Sequence, residues 1–328
     1  MHAMVAREPG GPETLTLVDR TVPEPGPGQV LVRTEAIGIN FIDTYHRSGV
    51  YPMDFPLTPG GEGSGVVSAL GPGVDTVAVG DRVAWAASAS GSYAEQVLVD
   101  AAQTLPVPDD LDAETAAAIP LQGMTAHMLV DGVTRLGPGQ TVLLTAGAGG
   151  VGLLLTQLAV ARGARVITTV SSGSKAELSR AAGAAEVIRY DQFDDLPAEL
   201  PARVRELTDG DGVQVAYDGV GKDTFDACLA SVRRRGMLVL FGGASGQVPP
   251  FDLQRLNQAG SLFATRPKLF DYIADPAELA WRAGAVFDAA ATGALNVRIG
   301  ARYPLADAAD AHRALEGRQT TGKVLLIP

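Results

Sequence analysis

Between Thr141 and Ala161 the chain passes through a strand-like run, Thr141-Val142-Leu143-Leu144-Thr145-Ala146. A glycine turn follows, Gly147-Ala148-Gly149-Gly150-Val151-Gly152, and then an apolar helical stretch to Ala161. A GxGxxG pattern alone is weak evidence, but a strand before it and a helix after it make it a dinucleotide-binding turn. In that setting Gly147 permits the tight turn, Gly149 lets the backbone approach a pyrophosphate, and Gly152 allows helix and strand to pack closely. The helix N-terminus, with Gly150 and Val151, adds N–H donors and the positive end of a dipole.

The surrounding pattern extends this unit. Arg165–Val170, Glu186–Tyr190, Gln214–Asp218, Met237–Phe241 and Ser261–Thr265 read as strands, mostly with helices between them, which implies a parallel sheet covered on both faces. The first third differs: Leu15–Asp19, Val30–Ile39, Gly65–Leu70, Arg82–Ala86 and Ala94–Val99 are short β-branched runs separated by Gly and Pro, as in a mostly antiparallel, barrel-like domain. Helices at Pro276–Thr292 and Ala306–Glu316 and a strand at Val324–Ile327 close the chain. The expected fold is therefore α/β, with a doubly wound domain at 124–262 inserted between 1–123 and 263–328 of the other domain. A length of 328 residues suits two cores.

Composition narrows the function. A formal charge of −11 repels a phosphate backbone, so nucleic acid is not an expected partner. No apolar run is long enough to span a bilayer and the start has no leader pattern, so a cytoplasmic location is expected. The single cysteine, Cys228, excludes an intrachain disulfide and any zinc site built from two thiolates, and it reads as a core residue. The four histidines show no metal spacing, and no metal site is expected.

After the second strand an NAD-binding unit places a carboxylate for the ribose hydroxyls. Here that place reads Ser171-Ser172-Gly173-Ser174-Lys175, with no carboxylate before Glu177. Hydroxyls and an ammonium suit a 2′-phosphate, so NADPH is the expected cofactor, with Tyr190 at the end of the third strand near the same group.

Four segments together resemble the NADPH-dependent quinone oxidoreductases, the zinc-free, zeta-crystallin-like members of the medium-chain dehydrogenase/reductase superfamily. They are Asn40 to Tyr51, Ala146 to Gly152, Tyr217-Asp218-Gly219-Val220-Gly221 and Thr265-Arg266-Pro267. The resemblance implies a GroES-like catalytic domain, an inserted Rossmann domain and a homodimer. Zinc-dependent relatives carry a cysteine near Asn40 and a His-Glu pair where this chain has Gly61-Glu62. By resemblance Asn40 and Thr125 face the nicotinamide, Gly150 and Val151 the pyrophosphate, and Ser171, Lys175 and Tyr190 the 2′-phosphate. Phe241, Thr265 and Arg318 border the dinucleotide, while Gly219 replaces a serine of several relatives.

The implied reaction is reduction of a quinone in the cleft between the domains. It needs alignment and a stabilised oxyanion more than a strong acid. Asn40, Tyr45 and Tyr51 are the candidate catalytic residues, Tyr51 as a hydroxyl donor. Asp43 reads as a helix-start or salt-bridge residue, and Glu62 as a turn residue or the partner of Arg47 or Arg266. Two alternatives stand beside this reading: an NADPH-dependent reductase of activated C=C bonds in enals or enoyl thioesters, with Tyr51 as proton donor, and a non-catalytic NADPH-binding structural or sensor protein.

Overall fold

In a computed structural model covering residues 1–328, the chain divides into unit 1, Met1–Met124 with Asp275–Pro328, and unit 2, Thr125–Ala274. The expected boundary after 262 therefore moves to 274. The short strand at Phe263–Thr265 pairs with its predecessor in the parallel sheet, and this keeps the following segment with unit 2.

Unit 1 begins with strands β1 (His2–Ala6), β2 (Leu15–Asp19) and β3 (Gln29–Ile39), helix α1 (Phe41–Ser48), and strands β4 (Glu62–Leu70), β5 (Arg82–Trp85), β6 (Gln96–Asp100) and β7 (Leu105–Pro106). Helix α2 (Ala113–Ala118) follows, and α3 (Pro120–His127) runs from unit 1 into unit 2. In unit 2 the order is β8 (Thr141–Leu144), α4 (Gly150–Ala161), β9 (Arg165–Val170), α5 (Gly173–Ala181), β10 (Glu186–Arg189), α6 (Leu196–Glu206), β11 (Val213–Asp218), α7 (Phe225–Ser231), β12 (Val232–Leu240), α8 (Gln254–Gln258) and β13 (Phe263–Thr265). The chain returns to unit 1 through α9 (Pro276–Ala291), β14 (Ile299–Pro304), α10 (Ala308–Glu316) and β15 (Lys323–Ile327).

β3 is the spine of unit 1. It pairs antiparallel with β4 along most of its length, with β6 over Gln29–Arg33, and with β15 over Ile37–Ile39. Its alternating residues Val30 and Val32 meet Val67, Val83, Trp85, Val97 and Val99 in a core. Burial of each such side chain contributes about 1.5–3 kcal/mol. β14, which the sequence reading lacked, extends the sheet by pairing parallel with β15.

Unit 2 carries six strands in the order β10-β9-β8-β11-β12-β13, every neighbouring pair parallel. The strand order reverses between β8 and β11. In such sheets the crevice beyond the carboxyl ends of the strands at that point is the ligand-binding place. Cys228 is fully buried in the core beneath, and burial pushes its thiol pKa up. No helix of the chain is long and apolar enough to cross a membrane.

Candidate functional site

At the end of β8 the glycine turn differs from its sequence reading in one respect. The left-handed residue is Ala146, at φ +53°, not Gly147. Gly147 is required for another reason: a Cβ there would lie 2.5 Å from the Thr168 Cβ on β9. At Gly152 a Cβ would meet the Ala146 carbonyl oxygen at 2.3 Å, so this glycine lets α4 close onto the turn itself. Gly149 is the N-cap of α4, and the first helical bond runs from Leu153 N–H to the Gly149 oxygen at 3.0 Å. The N–H groups of Gly150, Val151 and Gly152 precede that bond and form the donor end of the helix.

Asp218, at the end of β11, organises the neighbouring loop. Its buried Oδ1 accepts from Thr145 Oγ1 (3.0 Å), Thr224 Oγ1 (2.7 Å), Val220 N–H (2.9 Å) and Gly221 N–H (3.2 Å). Burial raises its pKa, although these donors pull the other way. The same loop is held from β12: Phe241 N–H donates to the Asp218 oxygen at 2.9 Å, and a Cβ on Gly219 would strike the Phe241 ring at 2.8 Å. Phe241 thus occupies the space that a serine at 219 would need.

The polar group beyond β9 gathers Ser171, Ser172 and Lys175. Lys175 Nζ donates to Ser171 Oγ at 3.2 Å. Ser172 is the N-cap of α5, accepting from Lys175 N–H at 3.3 Å, so part of its polarity serves the helix. Tyr190 opens the turn directly after β10. Beside it stands a residue the sequence reading missed: Arg189 lies opposite Val170 in the register, and its NH1 is 3.7 Å from where a side chain on Gly173 would begin. Its Nε and NH2 form a bidentate pair with Asp191, at 3.2 and 2.6 Å. A basic residue ending the third strand of such a unit was the available signal. Thr265 lies on β13 opposite Val239, and Thr125 on α3.

In unit 1 a charged cluster closes one end of three adjacent strands. Asn40 follows β3, Lys323 begins β15 and Glu62 begins β4. Asn40 Nδ2 donates to Glu62 Oε2 at 2.6 Å and, at a long 3.4 Å, to the Gly38 oxygen. Its Oδ1 accepts from Lys323 Nζ at 2.9 Å and Gln122 Nε2 at 3.2 Å. Lys323 and Glu62 are themselves ion-paired, with side chains 1% and 0% exposed, and Glu62 Oε1 accepts from Leu121 N–H at 2.6 Å. Gly38 makes the cluster possible, because a Cβ there would sit 2.4 Å from Glu62 Oε2. Glu62 therefore takes Lys323, not Arg47 or Arg266; Arg47 pairs with Glu316 at 2.7 Å. Burial pulls the Lys323 pKa down, partly opposed by Glu62.

A second buried chain starts at Asp43, the third residue of α1, whose Oδ2 accepts from Asn40 N–H at 2.8 Å and completes a capping box. Tyr93 Oη lies 3.1 Å from the same oxygen and 2.9 Å from His312 Nε2, and His312 Nδ1 lies 3.0 Å from Arg47 NH1. A guanidinium only donates, so His312 Nδ1 accepts and its hydrogen is on Nε2. Tyr93 then accepts from His312 and donates to Asp43. Burial, followed by the Arg47 charge, pushes the His312 pKa down to about 3, whereas burial pushes Asp43 up to about 7. The sequence marked neither Tyr93 nor His312.

Tyr45 and Tyr51 lie together, their ring centroids 5.2 Å apart edge to face, and Tyr51 N–H donates to the Tyr45 oxygen at 3.2 Å. Arg318 follows α10 in a left-handed conformation, at φ +57°.

Two family models match the chain: alcohol dehydrogenase GroES-like domain over residues 26–109, and zinc-binding dehydrogenase over residues 150–274. A quinone oxidoreductase of Pseudomonas aeruginosa is 45% identical, with 97% of each chain covered. A 2-haloacrylate reductase of a Burkholderia species is 40% identical over 99% of this chain and 98% of its own. Among solved structures, a mycobacterial protein complexed with NADPH is 52% identical over the full length of both chains, with a TM-score of 0.97. The Escherichia coli quinone oxidoreductase complexed with NADPH is 41% identical over the full length of both, with a TM-score of 0.96.

Proposed function

From the premise that this chain belongs to the quinone oxidoreductase family, we propose that it is an NADPH-dependent reductase of quinones that works without zinc. The observation that carries the reading is the join of two features of unit 2: a helix N-terminus stripped of side chains at Gly147, Gly149 and Gly152, and Lys175 with Ser171 beyond β9. The first suits a pyrophosphate and the second a 2′-phosphate. NADPH supplies the hydride equivalent when bound.

The residues of this chain bind, orient and donate. Gly150, Val151 and Gly152 offer N–H groups, Lys175, Ser171 and Tyr190 take the 2′-phosphate, and Phe241 and Thr265 border the dinucleotide, as do Thr125 and Arg318. Asn40 presents an amide hydrogen to the substrate oxygen: of its four bonds, the contact to the Gly38 oxygen is the longest and the most easily exchanged. Tyr45 and Tyr51 form the aromatic wall beside α1, with the Tyr51 hydroxyl a further donor. Donors aimed at a developing oxyanion stabilise it without supplying a strong acid.

The donor set does not fit zinc. No three His, Cys, Asp or Glu residues lie close enough to hold a metal ion, the single thiol is in the core of unit 2, and Glu62 is engaged by Lys323. The 2-haloacrylate reductase relative favours a second reading, reduction of an activated C=C bond with Tyr51 as proton donor.

A homodimer is also proposed. β13 is the edge of its sheet, and Phe263 on it is 58% exposed, so a second copy can pair with the open strand and cover the ring.

The test follows NADPH consumption by purified protein with quinones, enals and enoyl thioesters, NADH serving as control. Fastest turnover with quinones and NADPH is expected. Turnover confined to the enals or thioesters would replace the quinone reading with the second one, and activity lost on chelation would remove the zinc-free one.

A further inference from the structure

We infer that Lys323 and Glu62 are positioning residues for Asn40, fixing which side of its amide donates. This rests on the proposed role of Asn40 as donor to the substrate oxygen. The two ends of a carboxamide are nearly equal in size, so shape alone does not set its orientation. Here charge sets it. Lys323 Nζ has only hydrogens to give and holds Oδ1 at 2.9 Å, while the Glu62 carboxylate has only lone pairs and holds Nδ2 at 2.6 Å. Turned over, the amide would face its oxygen to the carboxylate and its hydrogens to the ammonium, two repulsive contacts in a buried site.

Stability alone does not account for the pair. Both charges are withdrawn from water, and well-packed apolar residues of similar volume commonly serve a fold as well or better. The strands bring them together for a purpose that apolar residues could not serve. Val324 lies opposite Ile39 on one side of β3 and Glu62 opposite Gly38 on the other, so the cation and the anion flank the residue that follows β3. Gln122 adds a second donor to Oδ1, leaving the second Nδ2 hydrogen, on its long contact to Gly38, as the one available for exchange.

The deciding variant is the double substitution Glu62→Gln with Lys323→Met, which removes both charges together and avoids stranding either one. Its kcat with a quinone should fall by roughly a hundredfold or somewhat less, toward the low end of the roughly hundredfold to thousandfold loss that removing an oriented oxyanion donor causes. The NADPH Kd, read by fluorescence titration, should stay within about twofold, because Lys175 and the α4 N-terminus are unaltered. In an Asn40→Ala background the same double substitution should produce no further fall in kcat, a coupling that a merely structural role would not give. An unchanged kcat in the neutral pair, or the same fold loss with and without Asn40, overturns the positioning role. Should the neutral pair not fold, Glu62→Asp, which keeps both charges but draws the carboxylate back from Asn40 Nδ2, measured with and without Asn40→Ala, decides in the same way. Wild-type kcat in Asn40→Ala alone would instead remove the assignment of Asn40, and the positioning role with it.

Discussion

Asp43 keeps one carboxyl oxygen, Oδ1, buried and without a partner, while Oδ2 takes both the Asn40 N–H and the Tyr93 hydroxyl. That asymmetry explains a carboxyl pushed up to about 7 by burial. Between the ordinary value of 3.8 and about 7 the folded protein keeps a proton that the unfolded chain has lost, so this group makes stability fall as pH rises through that window. The full effect is about 4 kcal/mol, from 1.36 kcal/mol per pKa unit. Urea unfolding of the wild type and Asp43→Asn at acidic and alkaline pH should show the variant gaining on the wild type as pH rises, and parallel profiles would refute the shift.

Arg189 is the second residue with a measurable consequence. Its guanidinium lies beside the first turn of α5 but is held by Asp191 through two bonds. Arg189→Leu should weaken NADPH several-fold with NADH unchanged, Asp191→Asn should tighten NADPH, and Lys175→Ala should weaken it most; isothermal titration reads all three. Ser171 and Lys175 were legible because a missing carboxylate is visible in a linear chain. Arg189 was not, because its relevance depends on lying opposite Val170 across two strands.

At the scale of elements, β8, the turn and α4 were readable because hydrophobic run, glycines and apolar helix are contiguous. What escaped was the division of labour among the small residues. The left-handed position falls on Ala146, where an L-residue costs about 1–2 kcal/mol. Ala146→Gly should therefore leave NADPH binding intact and raise stability by about 1 kcal/mol in thermal or urea unfolding, less whatever the added glycine entropy removes. Gly152→Ala should do the opposite, since its methyl would collide with the Ala146 oxygen and push α4 off the turn, weakening NADPH binding. Equal tolerance at both positions would contradict this geometry. β14 was missed for a related reason: its half-buried alternation, ending in Pro304, offers little apolar signal, and its pairing with β15 is settled by a distant segment.

At the scale of the molecule, the alternation of strands and helices made the insertion of one unit into another legible, whereas its second boundary depended on the pairing of β13, three residues long. That strand also carries the assembly prediction. On the proposed homodimer, Phe263→Glu places a charge on the open edge and should give monomer where the wild type gives dimer in sedimentation velocity, with unit 2 still binding NADPH; a dimeric variant would place the interface elsewhere, and a monomeric wild type would remove the homodimer.

The Glu62 and Lys323 pair has a consequence during synthesis as well. The two residues are separated by 261 positions, and all of unit 2 is translated between them. A nascent chain that has emerged as far as Ala274 holds every strand of the parallel sheet, yet its Glu62 has no ammonium to meet. Unit 2 can mature on the ribosome; unit 1 cannot be finished until β15 arrives. A ribosome stalled late on the message would thus display a formed nucleotide-binding unit on an unfinished scaffold, exposed to proteases and chaperones until the last strand is in place.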